Sequence, residues 1–167
     1  MTEYRENVVK ILPHLHRNRG LENFLRKVAP DFDLHELEIS PQEIPLLGAV
    51  AAGKPIEAIE ERDSLAVPAD MVVGRYKAYA LQVKGDSMMD EGIRDGDYII
   101  IQERNEAKNG ETVVALINDH EVTLKKLYIE RDQIRLQPAN SQVEPIIIRN
   151  SDVKILGVVC GLIRKFR

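Results

Sequence analysis

From about residue 76 onward the chain alternates short apolar runs with turn residues. Tyr76–Val83 is the first clear strand-like run. Tyr98–Gln102 is rich in β-branched residues and predicts a buried strand. Thr112–Ile117 predicts the next strand, with Asn118-Asp119-His120 as its turn. Glu121–Ile129 then alternates with period two, placing Val122, Leu124 and Lys126 on one face and Thr123, Lys125 and Leu127 on the other. Gln133–Gln137, Pro145–Arg149 and Ile155–Arg164 continue the pattern. Asp95-Gly96-Asp97 marks a turn, and Lys108-Asn109-Gly110-Glu111 carries an Asn-Gly hairpin signal. Frequent short strands with regular turns predict a mostly β fold with bent sheets.

Residues 1–44 follow a different period. Val8, Val9, Ile11, Leu12 and Leu15 recur at roughly helical spacing, interrupted by Pro13. Leu21–Val28 predicts a second amphipathic helix with Leu21, Phe24, Leu25 and Val28 on one face, closed by Pro30. Asp33–Leu37 predicts a short third turn, and Ser40-Pro41 begins a linker. This small α-helical region is expected to bind a partner or to dimerise. His14-Leu15-His16-Arg17-Asn18-Arg19 could touch phosphate, although a solvated surface is the simpler reading.

Composition narrows the class. Of 167 residues, 44% are hydrophobic and 30% charged, with net charge −4, as in ordinary soluble domains. Nothing in the global charge points to nucleic acid. One cysteine, Cys160, excludes an internal disulfide and fits a reducing cytosol. It lies in the apolar run Ile155–Ile163, so a buried core thiol is expected. The four histidines form no Cys/His ligand spacing, so no metal is expected. No signal peptide or membrane-length apolar segment is visible, and the expected location is the cytoplasm.

Three stretches carry candidate chemistry. Gly85-Asp86-Ser87-Met88 follows a strand, and Gly85 permits a bend that presents Ser87 to a cleft. Alone, Gly-Asp-Ser is a common turn sequence. Lys125 lies among apolar residues, where desolvation lowers a lysine pKa. A neutral lysine can act as general base toward a serine hydroxyl. Alone, Lys125 and Lys126 read equally as a solvated edge pair. Gly48-Ala49-Val50-Ala51-Ala52-Gly53 is bendable and low in bulk, suited to a narrow active site; it is also what a flexible linker looks like.

Taken together, Gly48–Gly53, Gly85–Met88, Gly92-Ile93-Arg94-Asp95-Gly96-Asp97 and Val122-Thr123-Leu124-Lys125, in this order, resemble the LexA-like self-cleaving peptidase family, over residues 45–167. That family holds LexA, UmuD and phage repressors. The resemblance implies a LexA/signal-peptidase-like β-rich catalytic domain over 61–167 and a cleavage loop over 45–60. It implies Ser87 as nucleophile, Lys125 as base and Ala52–Gly53 as the scissile bond, flanked by Val50 and Ala51. Backbone N–H groups of Asp86 and Ser87 are expected as oxyanion donors. It further implies a homodimer through the catalytic domain and a RecA filament on single-stranded DNA as inducer. Only about 44 residues precede the cleavage-like segment, fewer than that family's winged helix-turn-helix occupies, and no β-wing pattern is visible. DNA binding is therefore not carried over to residues 1–44. A UmuD-like polymerase-associated protein, and a cleavage-controlled interaction regulator without DNA binding, remain alternatives.

Overall fold

The structure is a computed structural model and describes residues 41–51, 57–72 and 74–166, with Asn23, Lys27 and Val28 before them; residues 57–62 are described by their backbone path. Met1–Ser40 and Pro41–Arg167 are separate compact units. In the first, Asn23, Lys27 and Val28 are helical and exposed. The remaining residues of the expected helices, and His14–Arg19, lie outside the described residues.

The second unit is a single nine-stranded sheet. Its strands are β1 (Pro41–Ala51), β2 (Glu57–Pro68), β3 (Ala78–Lys84), β4 (Tyr98–Gln102), β5 (Thr112–Ile117), β6 (Glu121–Glu130), β7 (Gln133–Gln137), β8 (Ile146–Arg149) and β9 (Val153–Ile163). The order across the sheet is β2-β1-β3-β4-β9-β5-β6-β7-β8. All neighbours are antiparallel except β1 and β3.

Most strands fall where the alternation predicts them. The Asn118-Asp119 turn has positive φ at both residues, 51° and 57°, and the His120 N–H donates to the Ile117 carbonyl at 3.0 Å. That is the primed turn that matches strand twist in a hairpin. Lys108–Glu111 also turns, with the Glu111 N–H donating to the Lys108 carbonyl at 3.1 Å. It does not pair the strands on either side of it: β9 lies between β4 and β5. The hairpin expectation fails because the C-terminal strand supplies a longer partner for both. Along β9, Val153–Val158 pairs with β5 and Val158–Ile163 with β4. At the crossing sits Gly157. A Cβ there would lie 2.3 Å from Ile101 Cγ2 and 2.6 Å from the Gln102 carbonyl oxygen.

The expected linker at Ser40-Pro41 and loop over 45–60 are strand at both ends. Pro41 opens β1 opposite Pro68, a position where a missing N–H is tolerated. Ile44, Leu46 and Val50 are buried, an alternation that the Pro, Ala and Gly content of the segment obscures. A register shift between Leu46 and Gly48 bends β1 into its pairing with β3.

The sheet bends far enough to close a shared core. Val50 of β1, Leu81 and Val83 of β3, Ile99 and Ile101 of β4, Val114 of β5, and Val122 and Leu124 of β6 belong to one apolar cluster, joined by Met88. This closure brings the turn after β3 against β6.

Candidate active site

Ser87 sits on the turn that follows β3. Gly85 turns the chain with φ 91°, a left-handed conformation that favours glycine. Its N–H donates to Asp95 Oδ1 at 2.7 Å. Met88 is 1% exposed and pins the turn in the core. A 3-10 turn over Met89–Glu91 follows, with the Met89 N–H on the Asp86 carbonyl at 3.2 Å. The turn is thus held in the core immediately after the serine and tied to the next loop before it.

That next loop explains the Gly92–Asp97 motif. Asp97 is buried, and its carboxylate accepts from the Arg94 N–H at 2.7 Å and from Arg164 Nε and Nη2, each at 2.7 Å. The hydrogen bonds from Arg164 hold the Asp97 carboxyl below the usual carboxylate range. Arg164 also reaches the Gly92 carbonyl at 2.6 Å. The end of the chain is thereby clamped onto the loop that supports Ser87.

Lys125 stands on β6, 1% exposed. Its Nζ lies 3.1 Å from Ser87 Oγ, 2.9 Å from Thr123 Oγ1 and 3.0 Å from the Leu124 carbonyl oxygen. Burial pushes its pKa down from 10.5 to about 8. The cause is desolvation, which penalises the charged form. Lys126, next in sequence, is a half-buried amine on Glu91 at 2.5 Å, and that hydrogen bond raises its pKa. Two adjacent lysines are thus driven in opposite directions by their surroundings. The edge-pair reading of Lys125 does not fit.

The two residues expected to carry chemistry are therefore within hydrogen-bond distance. Val50 and Ala51 lie opposite Val83 and Lys84 on β3, so β1 runs parallel to the strand that leads into Ser87. Ala52 and Gly53 lie outside the described residues. The Asp86 and Ser87 N–H groups are on the turn between Gly85 and Met89. Asp90 is exposed. Thr123 was not singled out from the sequence, although period two already placed it on the face of Lys125; buried at 1% exposed, it is the nearest side-chain partner of the amine. Asn140 was also missed. It donates from Nδ2 to the Asp86 carbonyl at 2.8 Å, and no periodicity connects residues so far apart.

One expectation is corrected. Cys160 is exposed rather than a core thiol. The C-terminal run is apolar on average, but β9 is half-buried along much of its length. The thiol lies 3.4 Å from the Ile100 carbonyl oxygen and 3.5 Å from that of Met71, and loss of water on that side pushes its pKa up. No helix among the described residues is long and apolar enough to cross a membrane.

The chain is similar to known proteins over most of its length. A family model described as Peptidase S24-like matches residues 45–160. The LexA repressor of Caldicellulosiruptor saccharolyticus is 47% identical over 153 residues, covering 91% of this chain and 72% of that protein. The LexA repressor of Syntrophobacter fumaroxidans is 41% identical over 160 residues, covering 96% and 77%. The family match contains the serine turn and the lysine strand, and on that extent of likeness the chain belongs to the Peptidase S24-like family and is of the LexA type.

Proposed function

We propose that this protein cuts its own backbone at Ala52–Gly53, with Ser87 as nucleophile and Lys125 as general base, and that the cut switches a regulatory state of the SOS or stress type. The observation that carries this reading is the 3.1 Å contact between the Lys125 amine and the Ser87 hydroxyl, made by a lysine that is 1% exposed. A lysine of pKa about 8 is neutral in roughly one molecule in ten at pH 7. In that form it accepts the Ser87 proton as Oγ attacks the Ala52 carbonyl. The amine then returns the proton to the nitrogen of Gly53, and water releases the acyl group from Ser87. The expected donors to the tetrahedral oxyanion are the N–H groups of Asp86 and Ser87. Thr123 holds the amine in place from the side away from water.

The segment to be cut is in the same chain, so its effective concentration is high. Pairing of β1 with β3 supports its presentation as an added strand, a mode in which backbone hydrogen bonds give affinity. A partner that favours the cleavable arrangement would then act as inducer by shifting populations; the family resemblance implies a RecA filament on single-stranded DNA. A homodimer through the peptidase unit and a cytoplasmic location go with the same reading.

The role of residues 1–44 divides the readings. The match to the Syntrophobacter fumaroxidans LexA repressor covers 96% of the chain and so reaches into this region. That favours operator DNA over a protein partner as its ligand, and a repressor over a UmuD-like protein. The test incubates the purified protein at neutral and alkaline pH, with and without RecA on single-stranded DNA, and reads intact mass. Two fragments meeting at Ala52–Gly53, absent in Ser87→Ala and Lys125→Ala, are expected. Cutting at the same bond by either variant would overturn the mechanism. Salt-sensitive binding of specific DNA by the uncut chain, lost after cutting, would assign residues 1–44 to an operator.

A further inference from the structure

We propose that Asn140 is a positioning residue for self-cleavage: by gripping the Asp86 carbonyl it aims the Ser87 N–H at the developing oxyanion. This rests on the self-cleaving reading above.

The Asp86 carbonyl and the Ser87 N–H belong to the same planar group. The described residues contain no cis peptide bond, so the two point in opposite directions. Whatever fixes the carbonyl fixes the N–H. The carbonyl accepts from Asn140 Nδ2 at 2.8 Å and from the Met89 N–H at 3.2 Å. A donor on the carbonyl also polarises the amide and strengthens its N–H as a donor. The Asn140 bond is the shorter of the two, and it comes from outside the turn.

Asn140 is itself held. Its Oδ1 accepts the Gln142 N–H at 2.9 Å, and its backbone carbonyl accepts the Val143 N–H at 3.1 Å. Those partners fix which end of the amide faces Asp86: only one orientation serves an N–H and a carbonyl together. The neighbouring Ala139 carbonyl accepts the Asp90 N–H at 2.8 Å. The loop after β7 therefore grips the serine turn at two points, one on each side of Ser87. Gln137, at the end of β7, lies opposite Lys126 on β6. The loop thus departs from the strand beside the lysine and returns to the serine, tying the base, the nucleophile and the oxyanion donor to one support.

Asn140→Asp is nearly isosteric and keeps an acceptor for Gln142, but it loses the donor to Asp86 and adds a charge; Asn140→Ala, measured beside it, loses the donor without the charge, and both must slow cutting. Self-cleavage of the full chain is measured between pH 9 and 10, where Lys125 is neutral and a change in its pKa no longer alters the rate. The Ser87 amide is followed separately by 15N–1H spectra of the uncut chain at pH 6. A cleavage rate lowered roughly 10- to 100-fold is expected, less than or similar to loss of an entire oxyanion donor, together with a displaced Ser87 amide signal. A rate within twofold of the parent would overturn the proposal. If the parent itself never cuts, the self-cleaving reading fails and the positioning role with it; a parent that cuts, beside a variant whose Ser87 amide signal is unmoved, overturns the positioning role alone. Should Asn140→Asp fail to fold, Asn140→Ala is read alone by the same outcomes.

Discussion

Lys125 should cost this protein stability, and replacing it with methionine should return that stability. The fall in its pKa from 10.5 to about 8 corresponds to roughly 3 kcal/mol at 1.36 kcal/mol per pH unit. The sign follows from proton binding. Below pH 8 folded and unfolded chains both hold the proton, and the full penalty stands. Between 8 and 10.5 the folded chain has lost it and the unfolded chain keeps it, so stability climbs with pH. Above 10.5 both are neutral and the penalty is gone. Lys125→Met removes the charge and fills a similar volume. It also strips Thr123 Oγ1 and the Leu124 carbonyl of a partner, which costs about 1 kcal/mol each. The net gain at pH 7 is therefore about 1 kcal/mol, or roughly 3–5 °C in Tm for a unit of this size. The comparison is Ser87→Ala against Ser87→Ala/Lys125→Met, so that neither chain cuts itself, followed by far-ultraviolet circular dichroism on heating. The double variant should be the more stable at pH 7, and its advantage should have disappeared by pH 10. A double variant no more stable at pH 7, or an advantage independent of pH, would show that burial does not lower the lysine's pKa.

The same pKa sets the rate profile: self-cleavage should rise about tenfold per pH unit below pH 8 and level off above it, and a flat profile between pH 6 and 9 would exclude Lys125 as the base. Arg164→Ala leaves the buried Asp97 carboxylate without its main partner and should destabilise the fold at pH 7. The Asp97 pKa is lowered in the folded chain, so this contribution is present above its unfolded value and lost as pH falls; urea unfolding should show the gap to the parent narrowing in acid. Gly157→Ala drives a methyl into Ile101 and the Gln102 carbonyl and should cost about 3 kcal/mol or more, and a thermal midpoint equal to the parent's would contradict the close approach of β4 to β9. Cys160 should react with a thiol reagent in the folded protein, faster as pH rises; labelling only after urea is added would place it in the core instead.

Seven of the nine strands were located because each is a short apolar or alternating run bounded by turn residues, whether half-covered as in β7 or buried on both faces as in β4. That pattern did not reveal β1 and β2. There the alternation of Ile44, Leu46 and Val50 is broken by Pro45 and Gly48, residues that ordinarily signal a loop. Ser87 and Lys125 each fit an ordinary turn or a solvated edge pair, and were legible only together with the other motifs of the family resemblance, which implies that they act as a pair. Spacing alone does not show their contact, since the segment between them includes β4 and β5 and only closure of the sheet brings β6 to the turn. Thr123 could have been read from its spacing to Lys125. Asn140 and Arg164 could not: each acts through a backbone carbonyl or a carboxylate on a distant loop, and pairings of that kind leave no periodic trace. The position of Cys160 was misjudged because apolar neighbours in sequence do not specify which side of a strand is covered.

The site carries a conflict that the rest of the unit must offset. Desolvation lowers the Lys125 pKa, so its strength as a base depends on packing. Val122 to Lys125 are buried at four consecutive positions, which requires both faces of β6 to be covered over that length. A strand with one wet face would have left the amine at an ordinary lysine pKa, neutral only in strongly alkaline solution. Closure of the sheet supplies the second cover, and the apolar cluster that accompanies it includes Val50 and Met88. Val50 belongs to the strand that leads to the segment proposed for cutting; Met88 follows the nucleophile directly. The groups expected to react are therefore attached to the same core whose integrity lowers the pKa of the base. Loosening that core admits water to Lys125 and raises its pKa, so destabilising substitutions at Val50 or Met88 should slow cutting most at neutral pH and least at alkaline pH, where the lysine is deprotonated in either case.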